Sequence, residues 1–328
     1  MTTERKIFLG ADIGGTNTRV LLSNDGGGIL GFGKAGPGNH ESVGYPGLTM
    51  ALQSAVDDAC AEAGLRAEDI SAAGLGIGGL DWDSQEPDTM RAIQKTGLQC
   101  PMRLVNDAIL GLLAGTPEGW GVAVVSGTGC NCWGWNRDRT RIGHVTGGGT
   151  RMGEGAGATE LVARAIQAVA HAWTQRGPST TLGGALAAFA GARDVADLLA
   201  GLMEERISVG AAAAPLIFQA AASGDPVAVE IVEWGGTELG EMTGAVIRQL
   251  GFEDLEFHVV LTGSMFRGSP ALIEVMRRKV HALALGAHLV RLTVPPVVGA
   301  VLLAMEHGGG RPSDSIRSRL AREACARI

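Results

Sequence analysis

One pattern is written twice in this chain, and it limits what the chain can become. Short apolar runs at 7–12, 18–23 and 29–36 are separated by glycine-rich turns, which predicts three antiparallel strands joined as a meander. Helical spacing over 43–63, a buried-type strand at 72–77, a helix at 87–97 that begins at a proline, a strand at 102–105 and a helix at 108–114 follow. The order is βββαβαβα. A turn-rich break at 116–119 intervenes, and the meander restarts at 122–125, 132–135 and 141–145. Such a repeat predicts an α/β chain of two like lobes facing a central cleft, the first spanning 1–117 and the second 118–328.

A helical insertion at about 155–250 interrupts the second lobe, with apolar helical patterns at 158–175, 185–190, 195–205, 211–222 and 227–250. The sheet pattern then resumes at 257–261 and 288–292, with helices at 270–285 and 298–306. From residue 308 the Gly-, Arg- and Ser-rich tail reads as peripheral, with room for one last short helix.

Composition narrows the chemistry. The 328 residues are roughly two domains' worth, each able to bury a core. Lys and Arg number 27 against 34 Asp and Glu, a net charge of −7, which disfavours a nucleic-acid surface. An anionic ligand must therefore be held locally, by backbone. Glycine supplies 51 residues, about twice the usual ~7 % share, clustered where backbone has to approach something closely. The polar N-terminus and the absence of a long apolar run predict a cytoplasmic protein that does not enter a membrane. The five cysteines are scattered and odd in number, which fits reduced thiols; Cys130 and Cys132 read as core thiols.

Asp12-Ile-Gly14-Gly15-Thr16-Asn17-Thr18 falls in the turn of the first hairpin. Consecutive glycines there free backbone amides to cradle an anion, and the Asp12 carboxylate can hold a hydrated metal ion. The second meander carries a counterpart, Ser126-Gly127-Thr128-Gly129. Two such turns can grip phosphates from opposite sides. Between them, Val105-Asn106-Asp107 ends a strand where a helix begins, the usual place for a catalytic group in an open α/β sheet. Asp107 is the candidate general base, and it can equally cap the helix that starts at Ala108. A third site, Thr262-Gly263-Ser264, ends another strand with bare backbone suited to a flat adenine ring. Asp81 and Asp83 follow Gly78-Gly79 and either close on a substrate hydroxyl or form a solvated acidic loop. Trp82, Trp133 and Trp135 offer stacking faces but are expected to pack, and His144 is expected to be structural.

These segments resemble the two phosphate motifs and the adenosine motif of the actin/hexokinase/Hsp70 superfamily, whose fold is the two-lobed, ribonuclease H-like actin-like ATPase. More closely, the chain resembles the N-acetylglucosamine kinase and BadF/BadG/BcrA/BcrD-type ATPase family over nearly its whole length. That family's Ser-Gly-Thr-Gly-Ser-Asn stands here as Ser126-Gly-Thr-Gly-Cys130-Asn131, and its Gly-Asp-Glu-Gly-Ser as Gly153-Glu154-Gly-Ala-Gly157. The resemblance implies an ATP- and Mg²⁺-dependent kinase of an amino sugar, N-acetylglucosamine or glucosamine, phosphorylated at the 6-hydroxyl. By the same resemblance Asp107 is the base, Asn39, Asn131 and Glu154 line the sugar site, and Asp12, Thr16, Ser126 and Thr128 serve the nucleotide and its metal; Asn106, Asp107 and Asp81 are expected among the substrate-binding residues as well. A tryptophan upstream of Gly-Asp-Glu-Gly in animal N-acetylglucosamine kinases is replaced here within Gly147-Gly148-Gly149. A homodimer is left open. The alternative is an ATPase that switches a partner protein, as the acyl-CoA dehydratase activators do with a cysteine-bound iron–sulfur cluster.

Overall fold

The computed structural model describes residues 6–328; the polar lead-in at 1–5 lies outside the described residues. The first sheet holds β1 (Ile7–Ile13), β2 (Thr18–Asn24), β3 (Ile29–Ala35), β4 (Ala72–Ile77) and β5 (Met102–Asn106), in the order β3-β2-β1-β4-β5. The second holds β6 (Gly121–Ser126), β7 (Cys130–Trp135), β8 (Ile142–His144), β9 (Phe257–Thr262) and β10 (Ala287–Arg291), in the order β8-β7-β6-β9-β10. Read from the same edge, the orders are equivalent. In each sheet three antiparallel meander strands are extended by two parallel ones. Every residue of β4 is buried, as befits a parallel strand covered on both faces.

Helices α1 (His40–Ala63), α2 (Glu86–Gln94) and α3 (Asp107–Gly115) connect the first sheet. The insertion between β8 and β9 contains α4 (Ala158–Trp173), α5 (Leu182–Ala190), α6 (Val195–Met203), α7 (Ala214–Ala222) and α8 (Pro226–Leu250), whose apolar faces share one core with β6, β7 and β9. The chain ends through α9 (Met265–Gly268), α10 (Pro270–Leu283), α11 (Val297–Gly309) and α12 (Asp314–Cys325). Among the described residues, no helix is long and apolar enough to cross a membrane.

Two helices knit the sheets together. α3, from the first repeat, packs against β6, β7 and β9, while α11, from the second, packs on β1 and β4. They cross at Gly299, where a Cβ would strike the carbonyl of Leu110, and α11 lies so close to β1 that a Cβ on Gly10 would strike Val301. Only glycine permits such approach.

The expected elements are present, with shifted ends. α1 begins at His40 instead of residue 43, because Asn39 caps it by accepting from the Glu41 amide at 2.8 Å. Its polar first turn, kinked at Gly44 (φ 68°) ahead of Pro46, gives no apolar periodicity to read. The tail is not peripheral: Leu320 and Ala324 of α12 are buried with Phe8, Leu21 and Val301.

Candidate active site

The first glycine turn links β1 to β2, whose register sets Asp12 opposite Arg19. The Gly14 amide donates to the Asn17 carbonyl at 3.0 Å, which closes the loop and leaves Gly15 and Thr16 exposed. The second turn links β6 to β7: the Gly127 amide donates to the Gly129 carbonyl at 2.8 Å, with Thr128 and Gly129 exposed. This turn is fastened to α4, since the Ala158 and Thr159 amides donate to the Gly127 and Thr128 carbonyls at 2.8 and 3.0 Å. Ser126 is buried, and its hydroxyl donates to the Ala156 carbonyl at 2.6 Å.

At the end of β9, Gly263 adopts φ +116°, and a Cβ there would collide with the Ser126 carbonyl. The third glycine site therefore abuts the second turn. Ser264 continues into a slot of about 480 Å³ lined also by Ala158, Ala212, Pro215, Phe218 and Gly268. Phe218, Ala212 and Pro215 come from the inserted helical region, and nothing in their local sequence marks them as lining a ligand site.

Asp107 is the first residue of α3, but it does not cap it. The cap is Asn106, whose Oδ1 accepts from the Ala108 amide at 3.0 Å, because the residue before the first helical turn is the one whose side chain reaches those amides. The Asp107 carboxyl is not used as the cap. Its Oδ2 lies 3.2 Å from where Gly78 would carry a Cβ, and the Gly78 amide donates to the Ile13 carbonyl at 2.8 Å, so the Asp107 carboxyl stands beside the first turn. Burial, then the negative charges of Asp12 and Asp81, push the Asp107 carboxyl up to about 7. Burial pushes Asp12 up to about 6, against the opposing effect of Arg19 3.7 Å away.

The residues expected at the sugar site come from both lobes. Asn39 is tied to the first turn through its amide, which donates to the Gly14 carbonyl at 3.2 Å. Asp81 is only 5 % exposed, and its Oδ1 accepts from Asn106 Nδ2 at 2.9 Å and Asn131 Nδ2 at 3.2 Å. Burial raises its pKa to about 6. Glu154 is 8 % exposed; its Oε1 accepts from the Thr146 amide and hydroxyl, both at 2.7 Å, while its Oε2 is buried without a partner. Thr146 was not foreseen as its holder, since a threonine eight residues upstream carries no signal of its own. Trp133 and Trp135 pack as expected, whereas Trp82 is exposed and meets His144 edge-on at 6.0 Å. His144 in turn stacks on Trp133 at 4.4 Å. Asp81, Trp82 and Asp83 line a cleft of about 580 Å³.

Cys132 is fully buried and Cys130 half-buried, both as free thiols, and burial holds both above the ordinary thiol range. Among the described residues, no three His, Cys, Asp or Glu side chains are grouped to hold a metal ion by protein ligands alone. Asp12 offers one hard carboxylate oxygen in a half-buried setting. That suits a Mg²⁺ coordinated mainly by water and phosphate oxygens.

Two sheets of equivalent order, each carrying a glycine-rich hairpin turn between its first two strands, define a two-lobed α/β protein of the actin-like ATPase fold. The chain belongs to the BadF/BadG/BcrA/BcrD ATPase family, whose description matches residues 9–304. It is similar to the N-acetyl-D-glucosamine kinase of Dictyostelium discoideum, 26 % identical over 92 % of this chain and 98 % of that one. It is also similar to an N-acetylmuramic acid/N-acetylglucosamine kinase of Clostridium acetobutylicum, 24 % identical over 91 % of this chain and 98 % of that one. In fold it matches a solved structure from Chromobacterium violaceum, provisionally named an N-acetylglucosamine kinase, with a TM-score of 0.66 and 24 % identity over 91 % of this chain and 98 % of that one. These full-length matches support an ATP-dependent sugar kinase.

Proposed function

We propose that this protein transfers the γ-phosphate of ATP to the 6-hydroxyl of an amino hexose in the cytoplasm, with Asp107 as general base. The observation that carries the reading is the position of Asp107: a carboxylate with a pKa near 7, freed from capping by Asn106 and set beside the first phosphate turn. A base with a pKa near the working pH is best poised to take a hydroxyl proton and release it again.

Phosphoryl transfer asks a protein mostly for positioning and charge neutralisation. The amides of the Gly14–Asn17 and Ser126–Gly129 turns would face the phosphates from the two lobes, and the slot beside Ser264 would take the adenine. Asp12, through water, would hold Mg²⁺, which supplies charge neutralisation at the phosphate oxygens. Asn39, Asn131 and Glu154 would bind the sugar. The unpartnered Glu154 Oε2 favours this, because a buried carboxylate oxygen without a donor is costly and a sugar hydroxyl supplies one. Asp107 then accepts the proton of the attacking hydroxyl.

A panel of N-acetylglucosamine, glucosamine, glucose and mannose with ATP and Mg²⁺ tests the reading. Phosphorylation of an amino hexose is expected, with unacetylated glucosamine a contender because glycines at 147–149 leave no side-chain wall for an acetyl group. An ATPase rate unaffected by every sugar would sink it.

A further inference from the structure

We infer that Asp81 is a positioning residue: through Oδ1 it ties the sugar-binding Asn131 of one lobe to Asn106, the cap that precedes the base, in the other. This rests on the kinase reading above.

Asp81 meets both lobes through its carboxylate. Oδ1 already accepts from two amide groups, one on each lobe. Oδ2 faces Gly147, a second-lobe residue at φ +71° whose Cβ, if it had one, would collide with that oxygen. At 5 % exposure the carboxylate is largely buried, at the wall of the cleft of about 580 Å³. Its two donors are themselves committed. Asn106 Oδ1 accepts from the Ala108 amide at 3.0 Å, and Asn131 Oδ1 accepts from the Cys132 amide at 2.8 Å. An asparagine whose oxygen and nitrogen are both assigned cannot flip, so Asp81 fixes which face of each amide meets the cleft. Its neighbour Trp82 meets His144 across the same junction. A charged acceptor strengthens both hydrogen bonds, which a neutral residue would weaken.

The consequence is a coupling. Sugar contact at Asn131 and the orientation of the first turn of α3, which carries Asp107, share one anchor. Positioning residues of this sort keep a site within a small fraction of an ångström of productive geometry.

The test is a double-mutant cycle of Asp81→Ala and Asn131→Ala, reading kcat and the KM of sugar and of ATP separately, with hydrogen exchange on the same proteins. Loss of a charge-assisted hydrogen bond predicts a roughly tenfold to hundredfold fall in kcat/KM for sugar in Asp81→Ala, with ATP KM little changed. Asp81→Asn, which keeps an acceptor oxygen without the charge, should recover part of it. On the Asn131→Ala background, Asp81→Ala should cost far less than on the wild type, because the residue it acts through is gone. Additive costs would mean that Asp81 binds sugar directly and would overturn the inference. So would a lowered melting temperature with unchanged sugar kinetics. Hydrogen exchange separates this inference from the kinase reading: Asp81→Ala should speed exchange at the Ala108 and Cys132 amides whether or not any sugar is turned over. Unchanged exchange there overturns the positioning role. Faster exchange in a protein that phosphorylates no sugar counts against the kinase reading alone.

Discussion

Asp107 shows how one side chain is released from capping by its neighbour. With Asn106 capping α3, Asp107→Asn removes a proton acceptor without removing a cap. Its kcat is expected to fall by ~10²–10⁴ with sugar binding retained, and a variant keeping more than about a tenth of wild-type kcat would remove Asp107 from the mechanism. The raised pKa gives two further readouts. The acid limb of kcat/KM against pH should have its midpoint near pH 7 in the wild type, where the free-enzyme carboxyl titrates. Stability should move the other way. A carboxyl shifted from 3.8 to about 7 binds its proton more tightly folded than unfolded, so stability falls as pH rises through that window. Without nucleotide, Asp107→Asn should therefore be more stable than the wild type at pH 8, by about 1–2 kcal/mol after allowing for partial solvation, and no more stable at pH 4. Equal melting temperatures at pH 8 would argue against the buried like-charge cluster. Asp107 itself was legible in the sequence as the carboxylate at a strand-to-helix junction; its freedom from capping was not, because Asn and Asp are equally good caps on paper.

At the scale of elements, the site is made by turns held from behind. The second phosphate turn keeps its shape because α4 donates to its carbonyls and because Gly263, at the end of β9, packs against Ser126. Gly263→Ala should strain a backbone that L side chains rarely adopt, at about 1–3 kcal/mol, and displace the Ser126 carbonyl. The expected outcome is a higher KM for ATP with the KM for sugar little changed; an unaltered ATP KM would show that β9 does not support the turn. All three glycine segments could be read from sequence, since each follows an apolar strand. That two of them touch could not, because Ser126 and Gly263 lie far apart along the chain and meet only through the parallel pairing of β6 and β9.

For the whole molecule, the crossing of α3 and α11 makes each repeat complete the other's packing. The segment between α3 and β6 is one of the two places where the chain passes from one sheet to the other, the second lying between β10 and α11. Its successive carbonyls of Thr116, Pro117 and Glu118 accept from Arg317, Arg311 and Arg139 at 2.6, 2.6 and 3.0 Å, which gives a pivot of defined shape. With phosphate turns on separate lobes, a nonhydrolysable ATP analogue plus sugar should draw the lobes together as a hinge. Solution scattering is expected to give a smaller radius of gyration than for the free protein. An identical profile at saturating ligand would mean the cleft is already closed.

The sequence by itself determined the duplicated strand order, the glycine turns and the carboxylate at the end of β5, because alternation, turn chemistry and strand-to-helix junctions are local properties of neighbouring residues. Tertiary structure alone decided the rest. It brought Asp81 between Asn106 and Asn131, left one oxygen of Glu154 unpartnered, set Phe218 beside Ser264, and returned α11 and α12 to the first sheet. Those pairings join residues tens to hundreds of positions apart, and they are selected by which apolar faces and buried polar groups can be satisfied together, a condition that no single stretch of sequence contains.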